Sequence, residues 1–449
     1  MFTSSHEGLV AGDSNRRWDV FAADPDGMTR RVSQGTVAYL AGMTDWAYGR
    51  RSQGVAVPLG DSGRAVFVAN SDNISAARGG GVFLGGVGAA PLVEIPGLAF
   101  TPYVEPQRYA LTLAGASTDG SRLLLRREAF SLYSGSLNQS EPWDLWYLSG
   151  AGQLRIDDPA NVGAGRRTTQ ALLSDDGRTA VFLSLPAQPS GGVPAVPQLF
   201  LYQADTGLVT RIDVTDQGVP VNSPIQSRIG LSRNGRFTAL VTAAGNLVPG
   251  DVDNRVDLFL RDNQTGQFTR LRDPQTGASL MNQQSSNTQV IAVSDDGNVI
   301  AFADAAPVDN QEMRLRIFDR PAAQLTQLCA DSRSEVVRCG NPTLSADGKV
   351  VAFTALQALL PSDTDDMADI YSYRRDLGWL QQESLDIYGQ GGRHGRAQPR
   401  LSASGNTLVF EARGGGWHTT PQTTGDRDWL LTQVEGDSIY ADGFAIPAR

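Results

Sequence analysis

Residues 230–271 read GLSRNGRFTALVTAAGNLVPGDVDNRVDLFLRDNQTGQFTRL. Leu231-Ser232 closes one short strand, and Arg233-Asn234-Gly235 is a turn whose glycine can take a positive φ at no steric cost. An apolar strand follows, Phe237-Thr238-Ala239-Leu240-Val241, then a variable loop and a third strand, Asp257-Leu258-Phe259-Leu260. The turn Gln264-Thr265-Gly266 leads to a more polar fourth strand, Phe268-Thr269-Arg270-Leu271. Four antiparallel strands with no helical periodicity between them make one blade of a β-propeller.

The opening hairpin of this stretch recurs seven times, as LGDSGRAVFVA (59–69), ASTDGSRLLLR (116–126), LSDDGRTAVFL (173–183), LSRNGRFTALV (231–241), VSDDGNVIAFA (293–303), LSADGKVVAFT (344–354) and LSASGNTLVFE (401–411). The turn glycines, from Gly63 to Gly405, stand 51 to 62 residues apart. A period this steady fixes the architecture before any single residue is read. The apolar runs, such as Val350-Val351-Ala352-Phe353, need burial from both sides. One blade cannot supply that, so stability must come from stacking neighbours. The expected fold is all-β, a propeller of four-stranded antiparallel blades.

The Ser-x-Asp-Gly turn followed by an apolar strand ending in Ala-Phe resembles the WD40-like (PD40) repeat of bacterial TolB-type propellers. The longest match is 230–271, including Asn-Leu-Val-Pro-Gly-Asp at 246–251, and the resemblance runs from residue 1 to about 433. It implies the propeller fold and a binding or scaffold role, since such domains mostly serve that way and some accompany hydrolase domains.

The expected organisation is a single propeller over 1–449, with a partial blade at 1–33, seven full repeats over 55–433 and a tail at 434–449. Phe2-Thr3-Ser4-Ser5 aligns with 241–244, and Gly8–Asp13 with 246–251. Met1 thus falls inside a repeat that lacks its opening hairpin. Eight blades are expected, counting the partial one, with an upstream start carrying a signal peptide. The alternative is seven blades, the partial repeat closing the ring with C-terminal strands.

The formal net charge is −10, from 48 acidic against 38 basic residues. That balance argues against nucleic acid as a partner. No apolar stretch is long enough to span a bilayer, and residues 1–30 do not resemble a signal peptide. The only cysteines, Cys329 and Cys339, bracket the connection between one blade's last strand and the next blade's first. Their spacing suits a disulfide and so a periplasmic or extracellular location. Two reduced thiols are the alternative.

Three loops between second and third strands share an acidic spacing: Asp13, Asn15 and Asp19; Asp251, Asp253 and Asp257; Asp363, Asp365 and Asp369. Several oxygen ligands within seven residues suit Ca²⁺. The alternative is that they cap turns and start the third strand. Gly60-Asp61-Ser62-Gly63 looks like a protease nucleophile segment but sits at the repeat's turn position, and His6, His394 and His418 are too scattered to nominate a triad. The basic loop with Arg393 and Arg396 reads as a solvated connection.

Repeat sequence fills the chain, and no catalytic constellation stands out. The expected function is that of a non-enzymatic, exported, monomeric propeller that binds a protein or glycan partner. Two alternatives stay open: a glycan hydrolase or lyase with carboxylates at the propeller axis, and a structural envelope protein stiffened by Ca²⁺.

Overall fold

The computed structural model describes residues 107–131, 144–163, 166–186, 196–281, 290–305, 313–329, 338–356, 358–361, 363, 368–384, 399–413 and 427–433, with the shorter segments 2–4, 19–23, 29–31, 57–60, 64–69, 81–86 and 93–94 before them. It is all-β, built from antiparallel sheets whose strands follow one another in chain order. The sheet of Ile225–Leu231, Phe237–Thr242, Asp257–Asp262 and Phe268–Leu271 is the repeat quoted above, with each expected strand in place. Among the described residues six sheets have four strands. Two have three: Phe2–Ser4 with Asp19–Ala23 and Thr29–Arg31, and Arg400–Leu401 with Thr407–Arg413 and Arg427–Gln433. The described residues divide into two compact units, 1–196 with 202–210, and 197–201 with 211–449. No helix among them is long and apolar enough to cross a membrane.

Burial explains the apolar runs. In the second unit, Ile300 and Phe302 of the strand Val299–Ala305 pack with Phe237, Ala239, Val241, Leu258 and Leu260 of the preceding sheet. Val299 and Ala301, pointing the other way, pack with Leu344, Val351, Phe353 and Tyr371 of the following one. One strand thus feeds two cores, because side chains alternate across it and both faces are covered. In the first unit Leu59, Val66 and Val82 meet Leu113, Leu123, Leu125 and Leu148 in the same manner.

The recurring Ser and Asp of the turn have a mechanical role. Ser294 Oγ donates to Asp296 Oδ1 at 2.6 Å and accepts from Val299 N at 2.9 Å. Asp296 Oδ1 also accepts from Asn298 N at 2.9 Å. The pattern repeats at Ser117–Asp119, Ser174–Asp176 and Ser345–Asp347, and Asn234 stands in for the carboxylate beside Ser232. Such bonds favour the charged carboxylate. Hydrogen bonds from Ser117 and from the Ser121 backbone hold Asp119 down to about 2. At Asp296 and Asp347 burial pushes upward, but the bonds from serine and backbone outweigh it, so both are lowered.

A depressed carboxylate stabilises the fold fully above the unfolded pKa near 4 and loses that contribution as pH falls through the folded value. Acid is therefore expected to lower the urea midpoint between about pH 4 and pH 2. Asp296→Asn, copying Asn234, should leave stability at pH 7 nearly unchanged and reduce that acid loss. An unchanged pH profile in the variant would count against the turn as its source.

Cys329 and Cys339 form a disulfide, as the sequence suggested, with Cα atoms 6.3 Å apart. Both are buried, in the core shared with Val351 and Phe353. The bond ties the end of one sheet, after Gln324–Gln327, to the first strand of the next, Cys339–Leu344. Closing so short a loop reduces the freedom of the unfolded chain by about 3 kcal/mol in the chain-entropy account. Cys329→Ser with Cys339→Ser should lower unfolding free energy by about 2–4 kcal/mol. Equal stability of the native and double-variant proteins would contradict this.

Candidate functional site: acidic loops and their arginines

The loops between second and third strands open at the edge where each third strand starts and each fourth strand ends. Asp144, Asp257 and Asp369 begin third strands. Two positions further along, Trp146, Phe259 and Tyr371 face Arg155, Arg270 and Gln382 of the fourth strands. This register lets a fourth-strand side chain reach back over the neighbouring strand to the aspartate.

At the middle loop all three predicted acids converge. One carboxylate oxygen each from Asp251, Asp253 and Asp257 lies within 4.8 Å of the others. Arg270 occupies the space among them. Its Nη1 is 2.7 Å from Asp251 Oδ1, its Nη2 is 2.6 Å from Asp253 Oδ1, and it also bonds Asp257 Oδ2. Arg272 adds a contact of 2.8 Å to Asp253 Oδ2. Asp257 is fully buried and Asp251 nearly so. Burial pushes Asp251 above the usual carboxylate range, against the pull of Arg270. Asp253 is held well below it, chiefly by its bond from Arg272. At Arg270 burial opposes the charge, but the bonds to Asp257 and Asp253 prevail and its pKa is raised. A guanidinium therefore stands where a cation would sit, and a Ca²⁺ ion, which takes six to eight oxygens, would have to displace it.

Of the first loop, Asp13 and Asn15 lie outside the described residues, and Asp19 opens the strand Asp19–Ala23. Of the third, Asp365 lies outside them. Asp363 accepts from the Tyr371 hydroxyl, and Asp369 from Ser384 Oγ. Burial, then the bond to Asp363, pushes the Tyr371 phenol far above its ordinary value. Gln382 takes the arginine's position opposite Tyr371. The Gln382 amide is buried, and among the described residues neither its oxygen nor its nitrogen has a hydrogen-bond partner. His6, His394, His418, Arg393 and Arg396 all lie outside the described residues.

The arginines were the part that reading for metal ligands missed. Asp144 is bound by Arg127 and by Arg155, the latter at 2.6 Å, and Arg155 also reaches Asp157 at 3.1 Å. Arg211 bonds Asp213 through two nitrogens, each at 2.8 Å. In the sheet of Val299–Ala305 and Met313–Asp319 the arginine sits on the third strand instead: Arg316 meets Asp304 of the second at 2.7 Å. A signal existed in the fourth strands, in Arg155-Ile156-Asp157, Arg211-Ile212-Asp213 and Arg270-Leu271-Arg272-Asp273.

At the opposite, turn-bearing edge of the first unit lies an open recess of about 570 Å³, lined by Ser121, Arg122, Tyr147, Tyr202 and Asp205 among others. The Tyr147 hydroxyl donates to Gly177 O at 2.7 Å, and its ring centroid is 4.9 Å from that of Tyr202. Both rings are buried, which leaves the recess a mainly polar rim.

Solved structures similar to this one include a TolB protein, a protease's β-propeller domain and a lyase. TolB from Acinetobacter baumannii matches at 12% identity and a TM-score of 0.37, over 72% of this chain and 80% of its own. The β-propeller domain of the Trilobed protease from Pyrococcus furiosus matches at 10% and 0.44, over 83% and 95%. Oligogalacturonate lyase from Vibrio parahaemolyticus matches at 9% and 0.45, over 91% and 96%. No family model and no curated protein matches the chain.

Proposed function

We propose that this protein is a non-enzymatic binding propeller, exported from the cytoplasm, that holds a protein or glycan partner without transforming it. The composition of the first strands carries this reading. Among the described residues they include Arg108, Arg166, Arg167, Arg228 and Arg400, and no Asp or Glu. A glycosidase needs two carboxylates placed about a substrate bond, one of them free to move a proton. The described loop carboxylates are instead tied to arginines, hydroxyls and backbone amides, which suits a scaffold role for the acidic loops. The disulfide, buried between adjacent sheets, favours an oxidising compartment.

The test pairs binding with turnover on the full chain. Neutral and acidic oligosaccharides would be screened on an array, and each ligand found would be incubated at length and assayed for new reducing ends or unsaturated products. Binding with intact ligand is the expected result. Steady product release by the purified protein would overturn the reading in favour of a hydrolase or lyase.

A further inference from the structure

In the second unit the first strands Ile225–Leu231, Ile291–Val293, Cys339–Leu344 and Arg400–Leu401 lie beside one another in that order. Where they enter their turns, the residue after the motif serine bonds to its counterpart in the next sheet. Asp295 N donates to Ala346 O, and Ala346 N to Ala403 O, each at 2.8 Å. In the sheet before them that position is Arg233, whose guanidinium crosses to later sheets, Nε donating to Leu344 O at 3.0 Å and Nη2 to Leu401 O. Its neighbour Asn234 meets Asp295. The Asn234 N–H donates to Asp295 Oδ1 and the side-chain Nδ2 to Asp295 O, each at 2.8 Å.

Gly235 follows Asn234, and this is the only Asn-Gly pair in the chain. Such a pair is chemically labile, because glycine sets no side chain in the way of its own nitrogen. The glycine amide gives its proton to solvent and its nitrogen bonds to the asparagine Cγ. The bond from Cγ to the side-chain nitrogen breaks, and ammonia leaves with a proton from solvent. Water then opens the cyclic succinimide at either carbonyl, giving aspartate or isoaspartate. In the folded turn both reacting groups are engaged. Gly235 is buried, and its N–H donates to Ser232 O at 2.9 Å. Asn234 Oδ1 accepts from Ser232 Oγ at 2.7 Å and from Arg236 N at 3.0 Å, while Nδ2 is held by Asp295. Attack must break the first of these bonds to free the nitrogen, and the others to bring Cγ over it.

We propose that Asn234 is a deamidation site gated by the junction between these two sheets. While the junction is closed the amide is preserved. When it opens locally, which takes less free energy than global unfolding, the residue converts irreversibly. The product does not restore the junction. A carboxylate there keeps the bonds from serine and backbone, as Asp296 keeps those from Ser294 and Asn298, but it has no hydrogen to give to Asp295 O. Isoaspartate also lengthens the backbone of a turn whose glycine stands at a φ of +75°. Each conversion adds a negative charge, so the modified chain is separable from the native one. The site does not depend on what the propeller binds.

The full chain is incubated in mildly alkaline buffer, then followed by ion exchange and, after digestion in acid, by mass spectrometry of the peptide spanning the turn. Conversion of Asn234 is expected to be at least about tenfold slower in the folded protein than in denaturing urea, where no junction protects it. Asp295→Ala and Ser232→Ala should each speed conversion in buffer and leave the rate in urea unchanged. Asn234→Asp, which copies one product, should lower Tm. Equal rates with and without urea, or no conversion in urea, would overturn the proposal. So would folded variants that convert no faster than the native chain, or a Tm unmoved by Asn234→Asp. Should a variant fail to fold, the native chain decides alone. Across urea concentrations below its unfolding midpoint, conversion should rise in step with hydrogen exchange of the Gly235 N–H, and conversion indifferent to that exchange would refute the gate.

Discussion

Replacing Arg270 with Met should lower the free energy of unfolding by about 3–5 kcal/mol at pH 7. The side chain is only 11% exposed and touches three aspartates, of which Asp251 and Asp257 are buried. Removing it leaves those two charges close together and, among the described residues, with no cation but Arg272, which reaches chiefly Asp253. Breaking such a pair costs far more than an exposed ion pair is worth, because the surviving charge stays desolvated. The loss should shrink as pH falls toward 4, since the freed carboxylates take up protons when crowded. Calcium gives a second readout. Millimolar Ca²⁺ is expected to leave the Tm of the native protein unchanged and to raise that of Arg270→Met, because the ion then has a vacated acidic cage to enter. A chelator-reversible rise in the native protein would instead return the loop to metal binding. A denaturant midpoint unmoved by the substitution would remove Arg270 from its central place.

The second large effect is expected at Gly348. Its φ is +70°, and a Cβ built there would lie 2.8 Å from both Cβ and Cγ2 of Val299 in the preceding sheet. Gly348→Ala therefore combines a left-handed backbone with an overpacked contact between sheets. Each costs on the order of 1–3 kcal/mol, so a loss of about 2–4 kcal/mol is anticipated from thermal or urea unfolding. Gly207 is the internal control, at a φ of +68° with nothing within 4 Å of a built Cβ. Gly207→Ala should cost only the backbone share, about 1 kcal/mol. Equal losses at the two positions would show that the contact with Val299 does not matter.

That contact also shows how far the amino-acid sequence could be read. The glycine period announced the repeats, and the unbroken apolar run predicted burial on both faces, as Phe302 and Ala301 demonstrate in two separate cores. Local chemistry was legible because the turn bonds join residues two to five apart, from Ser294 to Val299. The charge pairing was harder to see. Arg270 and Asp257 stand 13 residues apart, and only the antiparallel register of Phe259 with Arg270 makes them neighbours. The acidic spacing alone suggested a metal because the compensating arginine lies on another strand. Arg233 was beyond reach altogether: its partners Leu344 and Leu401 offer main-chain oxygens, and a carbonyl leaves no mark in composition.

The seating of three turn glycines in the second unit has a wider consequence. Gly297 lies against Phe237, Gly348 against Val299 and Gly405 against Val350, always the residue that opens the second strand one module earlier. Because the joint is the same at each of these steps, a duplicated or deleted module would meet its new neighbour through a socket already tested. Lineages of such chains can then lengthen, shorten or recombine by whole modules, while the loops at the far edge diversify without disturbing the hinge on which growth depends.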